Sequence, residues 1–171
     1  MMGAGKSSVG ECLHRRTGLA VRDTDQIVTA QLGMSVAEIF AKHGEEVFRE
    51  AESAALRGVR SGERMIIVTG GGIVLRSENI EMLRNYALIV WLDGDEKTLF
   101  ERASHKQNRP LLRTKDPKKT FQEIFRSRKP LYASVADIRV DTSVLTDEEA
   151  AVAVLAKIRN INSNTERNPS T

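Results

Sequence analysis

The run Ala87–Asp93, ALIVWLD, constrains the fold more than any other stretch of the chain. It is apolar without alternation, so a strand made from it has no face to offer water and both faces must be covered, as in a parallel sheet between helices. Met65–Thr69, MIIVT, has the same character and ends on three glycines. Two further short runs, Leu19–Asp23 (LAVRD) and Asp137–Asp141 (DIRVD), read as strands. Segments with helical spacing separate them. Residues 6–17 put Val9, Cys12 and Leu13 on one face and stop at Gly18. Ser35–Glu38 has the form of a capping box and opens a helix through Lys42; Gly44 interrupts it, and a second helix runs from about Glu45 to Arg60. Residues 77–84, 95–104 and 119–128 read as helices, the last stopping before Pro130. Thr146–Glu149 is a second capping box, opening a helix with Ala151, Val154, Leu155 and Ile158 in line. Residues 105–118 hold two prolines, lack periodicity and read as a mobile loop; the polar stretch 161–171 reads as a disordered tail. Strands alternating with helices specify a three-layer α/β/α fold around a mostly parallel sheet, a single domain over residues 1–160.

Composition narrows the function classes. The chain has 171 residues, enough for one domain with a real core. Its net charge is +3, 26 basic against 23 acidic residues. No lysine-rich stripe with interleaved aromatics accompanies it, which argues against nucleic acid; a site for small anions needs only a few converging arginines. Cys12 is the only cysteine, so neither an internal disulfide nor a cysteine metal cluster can form. The apolar runs are too short to span a bilayer, and no charged n-region with a following apolar h-region opens the chain. A cytoplasmic protein without a membrane partner is the expectation.

The opening MMGAGKSSVG carries the clearest chemistry. In a Walker A loop, G-x-x-x-x-G-K-[ST], backbone N–H groups surround phosphates and the next helix adds its positive N-terminus. Gly3 and Gly5 allow dihedrals a Cβ forbids. Lys6 would reach the β- and γ-phosphates, and the Ser7 hydroxyl would ligate Mg²⁺. The other reading of the fragment is a glycine-rich terminus whose helix is capped by Ser7 or Ser8. Asp23 and Asp25, in RDTDQ, are like charges that need a cation or a proton-transfer task to hold them together; alternatively Asp25 caps a helix from Gln26. The triple glycine Gly70–Gly72 suggests backbone that something approaches, against a simple turn. Taken singly, Arg49 in GEEVFREAE and Arg102 read as solvated helix residues, Arg109 as part of the mobile loop, and Arg128 as a cation at a helix C-terminus. His14, His43 and His105 have no metal-like spacing and read as surface residues.

Together MGAGKSSVG, DTDQ, GEEVFRE, TGGG, NRPLL and RKPLY, in this order and spacing, resemble the shikimate kinase family from Met2 to about residue 142. The resemblance implies a P-loop kinase fold and an ATP:shikimate 3-phosphotransferase of aromatic amino-acid biosynthesis, acting as a monomer with Mg²⁺. By position, Gly3, Ala4, Gly5, Lys6, Ser7 and Ser8 would cradle the nucleotide phosphates. Ser7, with Asp23, would hold Mg²⁺. Asp25 would bind shikimate hydroxyls and orient or deprotonate the attacking one. Arg49 and Arg128 would grip the shikimate carboxylate, with Gly70, Gly71 and Gly72 lining that pocket and helices at about 25–60 forming its walls. Arg109 would come down onto the phosphates with a lid at about 105–118, and Arg102 would lie near the adenine.

One departure stands out. In this family an apolar strand, central in the sheet, and a glycine precede the loop; here the first glycine of the motif falls before Met1. Without that strand, 65–69 and 87–93 lose a partner and leave unpaired edges. Two expectations follow: the native protein begins upstream, or the chain is a truncated form that folds poorly and is nearly inactive. Rival functions are another small P-loop kinase, such as a gluconate or nucleoside monophosphate kinase, and a non-catalytic relative of the same shape.

Overall fold

The computed structural model describes residues 1–59, 63–105 and 109–167. Helix α1 (Lys6–Thr17) ends where the sequence asks, at Gly18 with φ 71°, and buries Val9 and Cys12. It leads to β1 (Ala20–Asp23), α2 (Thr24–Leu32), α3 (Val36–Arg57) and β2 (Met65–Val68). Then come α4 (Ser77–Tyr86), β3 (Val90–Asp93), α5 (Glu96–Ser104), α6 (Pro117–Val135), β4 (Ile138–Asp141) and α7 (Asp147–Arg167). Both capping boxes form. Ser35 Oγ accepts from the Glu38 N–H while Glu38 accepts from the Ser35 N–H, and Thr146 and Glu149 do the same. Gly44, with φ 82° and ψ 172°, breaks α3 into two helical segments, as the sequence asks. The expected helix end near Arg60 falls outside the described residues.

All strand pairing is parallel. β1 lies beside β2, Ala20 opposite Met65 through Asp23 opposite Val68. β3 lies beside β4, Val90 opposite Ile138 through Asp93 opposite Asp141. Among the described residues these pairs form two separate two-stranded sheets, with no strand joining β2 to β3. Between them is a cavity of about 600 Å³ lined by Val9, Ile66, Val68, Val90, Leu92 and Val154 among others. Lost pairing at 65–69 and 87–93, expected from the sequence, is therefore what the fold displays.

The main core gathers Val9, Trp91, Leu92, Leu99, Phe121, Phe125, Ile138, Val140 and Val154. α1 packs against α7, where Ala150 and Ala151 are buried. A second, smaller cluster of Val28, Ile39, Phe48 and Ala55 ties α2 to α3. This second core fixes one wall of the polar cavity beside the glycine loop.

Four expectations need correction. The strand expected over 87–93 is shorter, because α4 runs on to Tyr86 and Ala87 is its extended C-cap. The helix expected to stop before Pro130 continues through it to Val135. Proline removes one backbone bond, in α6 the one to the Arg126 carbonyl, and both residues are exposed, so the helix tolerates it at its surface. Arg128 is consequently in the middle of a helix rather than at its end. Finally, α7 extends to Arg167, through most of the stretch expected to be disordered; residues 168–171 lie outside the description. Of the expected lid, residues 106–108 are likewise outside it, Pro110–Leu112 form one 3₁₀ turn, and Pro117 and Lys118 already belong to α6.

Candidate active site

The glycine loop turns into α1 without a side-chain cap. Gly5 occupies the N-cap position with φ 78°, and Gly3 has φ 81°. Neither Ser7 nor Ser8 caps the helix, which removes the simple-cap reading. A Cβ on Gly3 would sit 2.2 Å from the Leu99 carbonyl oxygen, so α5 presses the loop into shape. Ala4 is buried between the glycines. The Lys6 ammonium donates to the Met1 carbonyl at 2.8 Å. Burial and the neighbouring Arg109 push its pKa down to about 8, against the pull of Asp25 and Asp23. A partly desolvated lysine beside free backbone N–H groups is an anion site awaiting negative charge.

β1 delivers the two aspartates. Asp23, not Asp25, is the N-cap of α2: its Oδ1 accepts from the N–H groups of Asp25 (2.9 Å) and Gln26 (3.3 Å). That leaves Oδ2 to accept from the Ser7 hydroxyl at 3.3 Å. A hydroxyl and a carboxylate at the mouth of a phosphate loop are hard oxygen donors of the kind Mg²⁺ prefers, and the pair therefore fits that ion. Asp25 stands in the first turn of α2. Its Oδ1 is buried without a hydrogen-bond partner among the described residues, and its pKa is raised by burial and by Asp23, against Lys6 and Arg49. An orphaned carboxylate oxygen facing a cavity is a ready acceptor for a substrate hydroxyl.

Arg49 and Arg128 are 6% and 7% exposed, contrary to the reading of Arg49 as a solvated helix residue. Arg49 spends its fork on two acids of its own helix: Nη1 donates to Glu52 (2.8 Å), while Nη2 (2.8 Å) and Nε (3.1 Å) donate to Glu45. Burial pulls the Arg49 pKa down, but Glu52 and Glu45 outweigh it and hold the guanidinium above its usual value. Glu52 is fully buried, its pKa raised by burial despite Arg49, and its Oε1 has no hydrogen-bond partner among the described residues. The triple glycine answers to these side chains. A Cβ on Gly70 would sit 2.2 Å from Glu52 Oε1 and 2.8 Å from Asp25 Oδ1; one on Gly72 would sit 2.1 Å from Arg49 Cζ. The run is more than a turn, and what first approaches it is the chain's own α3. The Tyr132 hydroxyl donates to the Gly71 carbonyl, and Thr24 accepts from the Gly70 N–H at 3.4 Å.

One cavity of about 340 Å³ gathers Ser7, Asp23, Asp25, Arg49, Gly70, Gly71, Gly72, Arg109 and Arg128. Lys6 is not among the residues lining this cavity; it lines the neighbouring one of about 600 Å³, with Arg109, Asp25 and Asp23 near enough to shift its pKa. The Arg109 Nε is buried without a hydrogen-bond partner among the described residues. Arg102 stands apart from this cavity, bonding the carbonyls of Thr142 (2.8 Å) and Ser143 (3.2 Å) after β4. The three histidines are exposed. Sequence reasoning missed Glu45, Glu52 and Tyr132. The first two were findable: on a helix, positions four before and three after Arg49 face it.

A glycine loop running directly into a helix beside parallel strands makes this a P-loop phosphotransferase, and the cavity admits only a small second substrate. More narrowly, the chain belongs to the shikimate kinase family, whose sequence model matches residues 2–159. It is 38% identical over 161 residues to a shikimate kinase from Symbiobacterium thermophilum, covering 93% of this chain and 92% of that protein. Its fold superposes on shikimate kinase from Acinetobacter baumannii in complex with shikimate with a TM-score of 0.88 at 30% identity, covering 93% of this chain and 89% of that one. A gluconokinase from Sinorhizobium meliloti, at 20% identity and a TM-score of 0.52 over 95% and 92% of the two chains, shares the fold alone.

Proposed function

We propose that the chain is a shikimate kinase that transfers the ATP γ-phosphate to the 3-hydroxyl of shikimate. The observation that carries this reading is that Arg49 and Arg128 open onto the same small cavity as Asp25, Ser7 and Asp23, one side suited to a planar carboxylate and the other to phosphate. Phosphoryl transfer asks for positioning and for positive charge on the phosphate oxygens. The loop from Gly3 to Ser8 binds the β- and γ-phosphates, with Lys6 and Arg109 supplying fixed charge. Ser7 and Asp23 would hold Mg²⁺, which when bound neutralises phosphate charge. Asp25 accepts from the attacking hydroxyl and orients it; the proton it takes up is released to solvent after transfer. Arg49 and Arg128 grip the shikimate carboxylate in paired hydrogen bonds, and Gly70–Gly72 leave room for the ring. Arg109 shields the transferring phosphoryl from water, which would otherwise compete as acceptor. Arg102 is assigned to the adenine side. The reading includes a cytoplasmic monomer.

The test is ADP release from ATP and Mg²⁺ with shikimate, gluconate or nucleoside monophosphates as acceptor. Turnover with shikimate alone supports the reading. Turnover with another acceptor, or none with any, contradicts it.

A further inference from the structure

Arg49 and Arg128 meet at a single oxygen. Glu45 Oε1 accepts from Arg49 Nη2 and Nε at 2.8 and 3.1 Å and stands 3.9 Å from Arg128 Nη2. A carboxylate gripped by both guanidiniums must sit between them, and Glu45 Oε1 already stands there. The other acid on Arg49 is different in kind. Glu52 has a side chain with 0% exposure and bonds Nη1 from inside the fold, so it is a fixed support. The Glu45 side chain is 41% exposed and has water to turn into. It also follows Gly44, whose φ of 82° breaks α3 immediately before it, so Glu45 opens the second helical segment.

We propose that Glu45 is an internal competitor for the substrate carboxylate: it closes the guanidinium pair in the empty enzyme and is displaced when an acidic acceptor arrives. This rests on the assignment of Arg49 and Arg128 as the carboxylate grip. It makes Glu45 a residue that sets the affinity for the acidic substrate. An incoming carboxylate replaces the pairing it disrupts, so the exchange is nearly balanced. A neutral polyol of the same size would have to leave Glu45 in place or forfeit its pairing with Arg49, and is turned away.

Glu45→Gln keeps the side chain's length and a carbonyl acceptor while removing the competing charge. The KM for shikimate is expected to fall about three- to fivefold, the range of a half-exposed ion pair. KM for ATP and kcat should stay at their wild-type values. A decarboxylated analogue, which brings no charge for the guanidinium pair to take, should gain no more than shikimate does. Glu45→Asp, which keeps the charge but withdraws it by one methylene, should move the shikimate KM in the same direction by less. An unchanged or raised KM in Glu45→Gln overturns the proposal, since a residue that merely props Arg49 would weaken binding when altered. Arg49→Ala separates the two levels. If it leaves the shikimate KM untouched, the grip itself is misassigned and the proposal falls with it. If it abolishes binding while Glu45→Gln also weakens it, only the competitor role fails.

Discussion

The Arg49 guanidinium lies against the backbone of Gly72, so closely that a Cβ at residue 72 would come within 2.1 Å of Arg49 Cζ. Helix α3 and the turn after β2, far apart in sequence, thus share one contact that sets where the cation points.

Gly72→Ala must push Arg49 aside. The expected result is a rise in the shikimate KM of about ten- to a hundredfold, with ATP affinity preserved, because misplacing a positioning group by about 1 Å carries costs of that order. Arg49→Ala should show the same one-sided loss more strongly. Steady-state kinetics with each substrate varied in turn reads both, and equal losses for the two substrates would contradict a carboxylate-gripping role for Arg49.

Asp23 serves two purposes through two oxygens, and they can be separated. Asp23→Asn keeps an acceptor for the α2 N-cap, where Asn serves as well as Asp. It removes the charge that faces Ser7. The half-saturating Mg²⁺ concentration should rise about tenfold or more, with the melting temperature little changed. Mg²⁺ titrations of activity alongside thermal melts check this; a large loss of stability with unchanged Mg²⁺ dependence would point to the cap alone.

Arg109 has a buried Nε without a hydrogen-bond partner among the described residues. Charge held ready for phosphate oxygens is worth most in the transition state, so Arg109→Ala should lower kcat about a thousandfold while leaving shikimate binding intact. Calorimetric titration with shikimate alone, set beside turnover, distinguishes this from a general collapse of the cavity.

Glu52 gives a pH signature. Burial raises its pKa above the ordinary 4.5. The folded chain therefore holds the Glu52 proton more tightly than the unfolded chain does. Its contribution to stability is complete below pH 4.5 and is lost as pH rises through the folded value. Glu52→Gln has no such proton to lose. Its melting temperature relative to wild type should climb as pH is raised from 4.5 towards neutrality. A difference that stays flat, or moves the other way, would refute the assignment.

What could be read from the sequence follows the range of the interactions involved. The glycine loop, both capping boxes and the Gly44 break are local: dihedral freedom and side chains three or four residues apart decide them, and they form as the residues suggest. The open edges between β2 and β3 are legible only through the family resemblance, in which a central strand precedes the glycine loop. Local reasoning misplaces Arg128 because a proline weighs heavily in it, whereas α6 carries Pro130 on its exposed side and runs on to Val135. The contact of Arg49 with Gly72 has no local trace. Nor does the choice between Asp23 and Asp25 as helix cap, which turns on where β1 releases the chain.

The hollow between β2 and β3 bears on how this molecule will look to common probes of foldedness. Environment-sensitive dyes such as anilinonaphthalene sulfonate brighten in greasy, water-poor recesses and usually mark molten states. A recess of about 600 Å³ walled by Ile66, Val68, Val90 and Leu92 offers such a berth in this chain as folded. Dye-monitored melts should start from a bright baseline, and a bright signal at room temperature is no sign that this chain has come apart.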